Sequence, residues 1–292
     1  MIVISVIIPT YRDWDRLDAC LQSLRLQTLD SEQFEVIIVN NWPNGPVPEI
    51  DLPKNARIIN EPKPGSYAAR NTGLNYAKGE ILAFTDSDCL VDENWLKAAL
   101  DLFSAYGEID RLAGKIELTF ERDKKSAVEC YETVYAFDQK DNARKGLAVT
   151  ANFFARKTLF DDIGGFDENL FSGGDYQWNR VASKKGSKII YSENTVVKHP
   201  ARNTFKQLRN KAKRVAAGQF GSQIKKEDYL KALSTLIFEL RPPLFEVRKI
   251  FSSRQLSFSE KLNVWWIRYW FRSVKAIEQF IIKVSGKSAE NI

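Results

Sequence analysis

Four consecutive apolar residues, Ile81 to Phe84, run straight into Thr85-Asp-Ser-Asp88. A run this short and this uniformly apolar is a strand buried on both faces, the kind that parallel sheets use. Such a strand needs helices on each side, which points the chain to an α/β architecture. It also says where chemistry belongs, because open α/β sheets bind ligands at the carboxyl ends of their strands. Asp86 and Asp88 are oxygen donors of the type that holds Mg2+ or Mn2+ beside a diphosphate. The alternative at this point is that Asp86 only caps a helix starting near Asp92-Glu93-Asn94.

The preceding residues supply the rest of such a sheet. Ile2 to Ile8 is a β-branched run ended by Pro9-Thr10-Tyr11, and Phe34 to Val39 is a second strand stopped by the turn formers Asn40 to Gly45. Between them Leu17, Leu21 and Leu24 have helical spacing, with Asp13 or Asp15 as cap. Arg57 to Asn60 reads as a third strand, and Tyr67 to Tyr76 as a helix closing at Lys78-Gly79 with a C-cap glycine. The order strand, helix, strand, strand, helix, strand predicts a mostly parallel, doubly wound sheet.

Three motifs in this half, Val6-Ile-Ile-Pro-Thr-Tyr11, Ala69-Arg-Asn-Thr-Gly73 and Asp86-Ser-Asp88, stand in an order and spacing that resembles the family 2 nucleotide-sugar glycosyltransferases. The resemblance covers residues 1 to 215. It implies the GT-A fold, a Rossmann-like mixed, mostly parallel sheet with flanking helices that binds a sugar diphosphonucleotide. It further implies that Pro9, Thr10 and Tyr11 line the nucleobase pocket and that Arg70 reaches the base or diphosphate. Asp86, with Ser87 beside it, would hold the ribose or donor sugar, and Asp88 would ligate Mn2+ or Mg2+. At the end of the second strand the family usually carries an acid that meets the base. Here Asn40 offers an amide carbonyl and an NH2 instead, which leaves the base open, and Asn40-Asn41 also reads as a simple Asx-turn.

In the second half, Arg111 to Phe120 and Leu147 to Phe154 read as strands, and Ser126 to Phe137 and Lys157 to Ile163 as helices. Gly173-Gly174 then precede a helix whose first turn contains Asp175, which puts a carboxylate near a helix N-terminus. By the same resemblance Asp175 is the general base of an inverting transfer, with Gly174 where relatives have the first acid of a Glu-Asp pair. Its other reading is an N-cap. Gln177 and Arg180 echo the Gln-x-x-Arg-Trp of processive synthases, but Val181 stands in place of tryptophan, so transfer of a single sugar is expected. His199 is the one histidine in the chain. A lone histidine is by default structural, yet imidazole ligates divalent cations, and in many relatives a histidine here completes the metal site.

Charge divides the sequence. Residues 201–292 carry 19 Lys and Arg against 7 Asp and Glu, a net of +12, while the first 200 carry 24 against 30. The basic part contains a helix from Phe205 to Phe220, a break at Gly218 and Gly221, and a helix opened by Glu227-Asp228 and ended by Arg241-Pro-Pro243. A last helix has Leu262, Trp265, Trp266, Tyr269, Trp270, Ile277, Phe280 and Ile281 at helical spacing among Lys and Arg. Residues 259–284 therefore read as a segment lying in a membrane interface, or as a helix packing on the catalytic domain or on a second subunit in a homodimer. Nucleic acid is not expected as a partner, since no stacking or groove-reading motif accompanies the charge.

Together these readings predict a catalytic domain over 1–215, with a nucleotide-binding half (1–110) and an acceptor half (111–200), and a basic amphipathic helical extension over 216–292. The expected activity is an inverting, metal-dependent transfer of one hexose-like sugar to a glycan, lipid-linked or other hydroxyl acceptor, in polysaccharide or glycolipid synthesis. The non-catalytic alternative is a membrane-associated scaffold that retains the sugar-nucleotide fold. A dinucleotide oxidoreductase or a nucleotidyltransferase would need a glycine-rich loop after the first strand, and Pro9-Thr10-Tyr11-Arg12 has no glycine. Met1 to Pro9 lacks a basic n-region, no apolar window is long enough to span a bilayer, and Cys20, Cys89 and Cys130 form no Cys-x-x-Cys pair. The expected location is cytoplasmic, peripheral to the inner face of the membrane.

Overall fold

Strand β1 (Ile4–Thr10) is buried at every position, and so is its neighbour β2 (Phe34–Asn40). They pair in parallel with Ile4 opposite Phe34 and Thr10 opposite Asn40. On its other side β1 pairs in parallel with β4 (Ile81–Phe84), Ile4 opposite Ile81. The chain thus winds outward through β3 (Ala56–Asn60) in one direction and through β4 in the other, so a topological switch point falls between β1 and β4. The computed structural model describes residues 1–218 and 229–285.

The remaining strands are β5 (Leu90–Val91), β6 (Arg111–Thr119), β7 (Phe153–Arg156) and β8 (Ile189–Pro200). Together they complete an eight-stranded sheet of order β3-β2-β1-β4-β7-β6-β8-β5. β7 lies antiparallel to both β4 and β6, and β5 antiparallel to β8. The sheet is therefore mixed, as expected for a GT-A architecture. On one face Leu17, Leu21 and Leu24 of α1 (Trp14–Arg25) join Ile4, Val6 and Ile8 of β1 and Trp95, Leu96 and Ala99 of α3 (Trp95–Ala105) in a single apolar cluster. Within it the fully buried Asn152 accepts from Trp95 Nε1 at 2.9 Å and donates to the Lys115 and Thr195 carbonyls at 2.7 and 2.9 Å. That side chain bridges β6 and β8 where their register shifts, between Gly114 and Lys115.

Several local expectations shift. Helix α2 (Ser66–Tyr76) ends on Ala77 in an extended conformation, and Gly79 is not its cap. Gly79 serves a close approach instead: its N–H donates to Ser5 Oγ at 2.8 Å, and a Cβ there would lie 2.6 Å from the Ser5 nitrogen. The strand expected over Leu147–Phe154 begins only at Phe153, because Thr150–Asn152 form a 3-10 turn. His199 is the penultimate residue of β8.

The chain separates into two compact units. The first is Met1–Thr119, Asp138–Glu168 and Gly174–Pro200; the second is Phe120–Phe137, Asn169–Gly173 and Ala201–Ile292. The second unit is helical. Its α4 (Ala127–Tyr135) starts with a capping box between Ser126 and Glu129. The first unit adds α5 (Gln139–Arg144), α6 (Lys157–Ile163) and α7 (Gly174–Lys184). In the second, α8 (Phe205–Gly218), α9 (Tyr229–Glu239), α10 (Val247–Phe251) and α11 (Phe258–Ser285) follow. Val128, Tyr131, Leu208, Ala212, Ile250, Val264, Ile267 and Phe271 form its core. The expected Gly221 break and Glu227-Asp228 helix start lie outside the described residues.

Candidate active site

The carboxyl end of β4 delivers Thr85-Asp-Ser-Asp88 to the switch point. Thr85 is fully buried and its hydroxyl donates to the Ala151 carbonyl at 3.1 Å, which holds the start of the loop to the sheet. The helix-cap reading of Asp86 does not apply, since α3 is preceded by Asn94. Asp86 Oδ1 accepts instead from Arg70 Nη2, and the Arg70 side chain is only 4% exposed. Buried and charge-assisted, this is the strongest class of hydrogen bond the site could contain.

Asp88 points toward the end of β8. His199 Nε2 lies 3.7 Å from Asp88 Oδ1, while its Nδ1 lies 2.8 Å from the Pro200 carbonyl. A carbonyl only accepts, so Nδ1 carries the hydrogen, and Nε2 is the ring nitrogen turned toward Asp88 and available to a cation there. This is the outer-shell arrangement that orients histidines on metals. Asp86, Asp88, Cys89 and His199 each bring a ligand atom to within 4.8 Å of the others. Burial pushes the Cys89 thiol well above its ordinary value, with the Asp86 and Asp88 charges adding to it. Two carboxylates and an imidazole remain as the harder donors, and that set fits a divalent cation of the Mg2+ or Mn2+ type. Burial also raises the Asp88 carboxyl, against the pull of His199 and of Arg16, whose Nη1 stands 3.5 Å from Asp88 Oδ2.

Arg70 connects this cluster to Asp175. Helix α2 places Tyr67 one turn before Arg70, and the guanidinium lies 5.7 Å from the Tyr67 ring centroid. The Tyr67 hydroxyl donates to Asp175 Oδ1 at 3.1 Å, and the Tyr176 N–H donates to the same oxygen at 2.9 Å. Burial pushes the Asp175 carboxyl above the usual carboxylate range, and the Tyr176 backbone, Arg70, Tyr67 and the Thr150 backbone offset that only in part. A half-buried carboxylate with a raised pKa is a stronger base than a free one, which suits it to accept a proton. Burial and the Asp175 charge push the Tyr67 phenol up as well, which keeps it a hydrogen-bond donor. Gly174, with no Cβ, lets the ring come this close.

The expected base-side residues form a separate wall. Pro9 and Thr10 end β1, and Thr10 Oγ1 is buried with no hydrogen-bond partner; Tyr11 is exposed. Next to them Arg12 holds a positive φ of 57°, uncommon for a residue with a side chain, and its guanidinium stands 4.2 Å over the Trp42 ring and 5.1 Å over that of Tyr11. Asn40 is fully buried, donating to Asn60 Oδ1 at 3.0 Å and accepting the Trp42 N–H at 3.0 Å. It forms the Asx-turn, with its carbonyl and one amide hydrogen already committed. Asn41 staples the loop before α2 through the Glu61 and Lys63 carbonyls and the Gly65 N–H. Asp13 stands at the N-cap position of α1 as expected, but its side chain makes no capping bond and instead accepts from Ser87 at 3.4 Å across the loop.

Sequence reasoning missed Tyr67, Cys89, Arg16 and Arg111. The first two had signals, since Tyr67 lies at i−3 from Arg70 on one helix and Cys89 directly follows Asp88. Arg111 had none. It is fully buried with no carboxylate partner, donating to Asn179 Oδ1 at 2.7 Å, to the Gly146, Asn179 and Ser187 carbonyls and to the Ser183 and Ser187 hydroxyls. Asn179 in turn donates to the Asp175 carbonyl at 2.9 Å. The arginine therefore anchors the helix that presents Asp175.

The family model described as Glycosyl transferase family 2 matches residues 5–164. Glycosyltransferase AglE of Haloferax volcanii is 33% identical over 223 residues, which is 74% of this chain and 72% of that protein. Among solved structures, S. aureus TarS 1-349 in complex with UDP-GlcNAc superposes with a TM-score of 0.55 at 18% identity, covering 98% of this chain and 91% of that one. The mannosyltransferase PcManGT from Pyrobaculum calidifontis, in complex with GDP-Man and Mn2+, superposes with a TM-score of 0.58 at 14% identity, covering 98% and 88%. At these identities the two structures speak for the fold, while the first two matches speak for the family.

Proposed function

The chain belongs to glycosyl transferase family 2 and is a glycosyltransferase, and from that premise we propose that it is an inverting, metal-dependent enzyme. It moves one sugar from a nucleotide-diphosphate-sugar to a hydroxyl acceptor in polysaccharide or glycolipid synthesis. The observation that carries this reading is the continuous link Asp88–His199, Asp86–Arg70, Tyr67–Asp175, all in one compact unit. It joins a cluster suited to a diphosphate with a carboxylate suited to a proton.

In this proposal Asp175 takes the proton from the acceptor hydroxyl. The acceptor oxygen bonds to the anomeric carbon as the bond from that carbon to the diphosphate oxygen breaks on the opposite face, so configuration inverts. Asp88 and His199 would hold a divalent cation, Mn2+ or Mg2+, which would supply positive charge for the leaving diphosphate. Asp86 and Ser87 take the donor sugar or ribose. Arg70, anchored on Asp86, keeps a guanidinium beside the diphosphate. Pro9, Thr10 and Tyr11 line the base side, with Arg12 and Trp42 at its rim, and Asn40 supports it from behind through the turn that holds Trp42. Tyr67 orients Asp175 through its hydroxyl. The protein acts in the cytoplasm, peripheral to the inner face of a membrane. Among the described residues no helix is long and apolar enough to cross one.

Hydrolysis of UDP-, GDP- and dTDP-sugars by the full chain with Mn2+ tests the assignment. Asp88→Ala should abolish turnover. Asp175→Asn should abolish transfer while leaving nucleotide-sugar binding, read by thermal stabilisation, within a fewfold of wild type. Full transfer by Asp175→Asn would remove the base from the mechanism.

A further inference from the structure

In the helical unit, the link between α9 and α11 exposes large apolar side chains beside cations. Leu244 is 67% exposed and Phe245 100%, both in one 3-10 turn, Leu244–Glu246, that follows Pro242-Pro243. Ile237 and Phe238, in the last turn of α9, are 55% and 58% exposed. The two prolines restrict the backbone before the turn. From behind, Glu246 accepts from Arg268 Nε at 2.8 and 2.9 Å, and Glu239 pairs with Arg272 at 3.2 Å. The carboxylates of this segment are thereby turned to α11 and neutralised. Arg241 and Arg248 are exposed on either side of the turn, and among the described residues neither has a carboxylate within ion-pair distance. Arg241 instead lies over the Phe238 ring at 5.5 Å.

A fully exposed phenylalanine on a braced turn has no role in the fold it belongs to. Cations without counter-ions flank it, so the surface it suits is apolar inside and anionic at its rim. A phospholipid bilayer with anionic headgroups has that profile. A protein partner would more often satisfy the cations with side-chain carboxylates set around an apolar pocket. We propose that the Leu244-Phe245 turn inserts into an anionic membrane surface, with Arg241 and Arg248 meeting the headgroup phosphates. This deepens the peripheral placement proposed above but rests on none of the chemistry of Asp86, Asp88 or Asp175. It also puts the contact outside the aromatic stripe expected at 259–284, where Trp270 packs edge-on against Phe205 at 5.3 Å.

The test is flotation of the full chain with vesicles of phosphatidylcholine containing about a third phosphatidylglycerol, and with phosphatidylcholine alone. Wild type should float with the anionic vesicles, and less so as salt rises. Leu244→Ser with Phe245→Ser should lower partitioning by at least about a hundredfold, the transfer value of the two side chains. Phe245→Trp should retain binding. Arg241→Gln with Arg248→Gln should remove the preference for phosphatidylglycerol. Equal flotation by the double serine variant, or no flotation of wild type, overturns the proposal. So does a change in molecular mass by light scattering between wild type and the serine variant without vesicles, since the turn would then seat a second copy. Nucleotide-sugar stabilisation measured on the same samples separates this proposal from the catalytic one: it should be the same in wild type and serine variant whichever way flotation comes out.

Discussion

Gly174 begins α7 against the ring of Tyr67. A Cβ there would lie 2.7 Å from Tyr67 Cε2 and 2.9 Å from its Cδ2 and Cζ. The ring has little room to yield, being 5% exposed, with the Phe166 ring 5.6 Å away and the Arg70 guanidinium 5.7 Å from its centroid. To reach ordinary contact it must retreat by about 0.7 Å. That carries its hydroxyl from 3.1 Å to the edge of hydrogen-bond range of Asp175 Oδ1. A hydrogen bond to a charged group is worth about 1.5–3 kcal/mol. Gly174→Ala should therefore lower kcat/KM about ten- to hundredfold. The sign of the pH effect follows too. The Tyr67 hydroxyl favours the ionised form of Asp175, so its loss raises the Asp175 pKa further above the usual carboxylate range. The acid limb of the kcat/KM profile should then move to higher pH in Gly174→Ala, and likewise in Tyr67→Phe, which removes the hydroxyl without adding bulk. Because both variants break one bond, their combination should cost little more than either alone. The assay is sugar transfer measured across pH for the four proteins. An unmoved acid limb in Tyr67→Phe, or fully additive losses, would falsify the coupling between Tyr67 and Asp175.

Three further outcomes are expected. His199→Ala should weaken Mn2+ binding about ten- to hundredfold by calorimetry and lower activity in parallel, and unchanged metal affinity with unchanged turnover would exclude it as a ligand. Arg111→Met should destabilise the protein by about 2–6 kcal/mol, because the buried Asn179 Oδ1 and the Ser187 carbonyl lose their donor together; a loss below about 1 kcal/mol in urea titrations would show that those groups find other partners. Glu132, 1% exposed at its side chain, pairs with Arg202 at 2.7 Å and Lys211 at 3.1 Å. Burial alone would raise its carboxyl, but the two cations hold it below the ordinary value. Its contribution is therefore present above the unfolded carboxylate pKa and is lost as pH falls through the depressed one. Glu132→Gln should flatten that acid-side loss in denaturation curves, and should also destabilise at neutral pH by up to about 3 kcal/mol by leaving two partly buried cations without their carboxylate. Identical pH dependence in the variant would contradict the assignment.

Local patterns made much of this legible in advance. β1, β2 and β4 could be read because each is apolar through both faces, and only a covered parallel sheet satisfies that. Asp86 and Asp88 could be placed at a strand end for the same reason. The start of α4 was written in Ser126-x-x-Glu129, and Asp175 in the first turn of α7 followed from the glycines before it. Boundaries set by long-range contact could not be read. Gly79 looks like a helix stop but answers to Ser5, 74 residues away. Leu147 to Asn152 looks like strand but turns, because Asn152 must reach Trp95, Lys115 and Thr195 at once.

The division is sharpest at the site itself. Sequence alone determined which residues had chemistry to offer: two carboxylates after β4, an arginine on α2, an acid at the head of α7, and a single histidine. Residue type and local spacing decide those properties. Only the tertiary structure decided who acts on whom. It brought His199 to Asp88 across 111 residues, hung Asp86 on Arg70, and set the Tyr67 hydroxyl on Asp175. It also buried Asn40 in a turn that the bare residue could only suggest. These pairings follow from strand order and burial, and their strength comes from the exclusion of water. Neither quantity is a property of any short stretch of the chain.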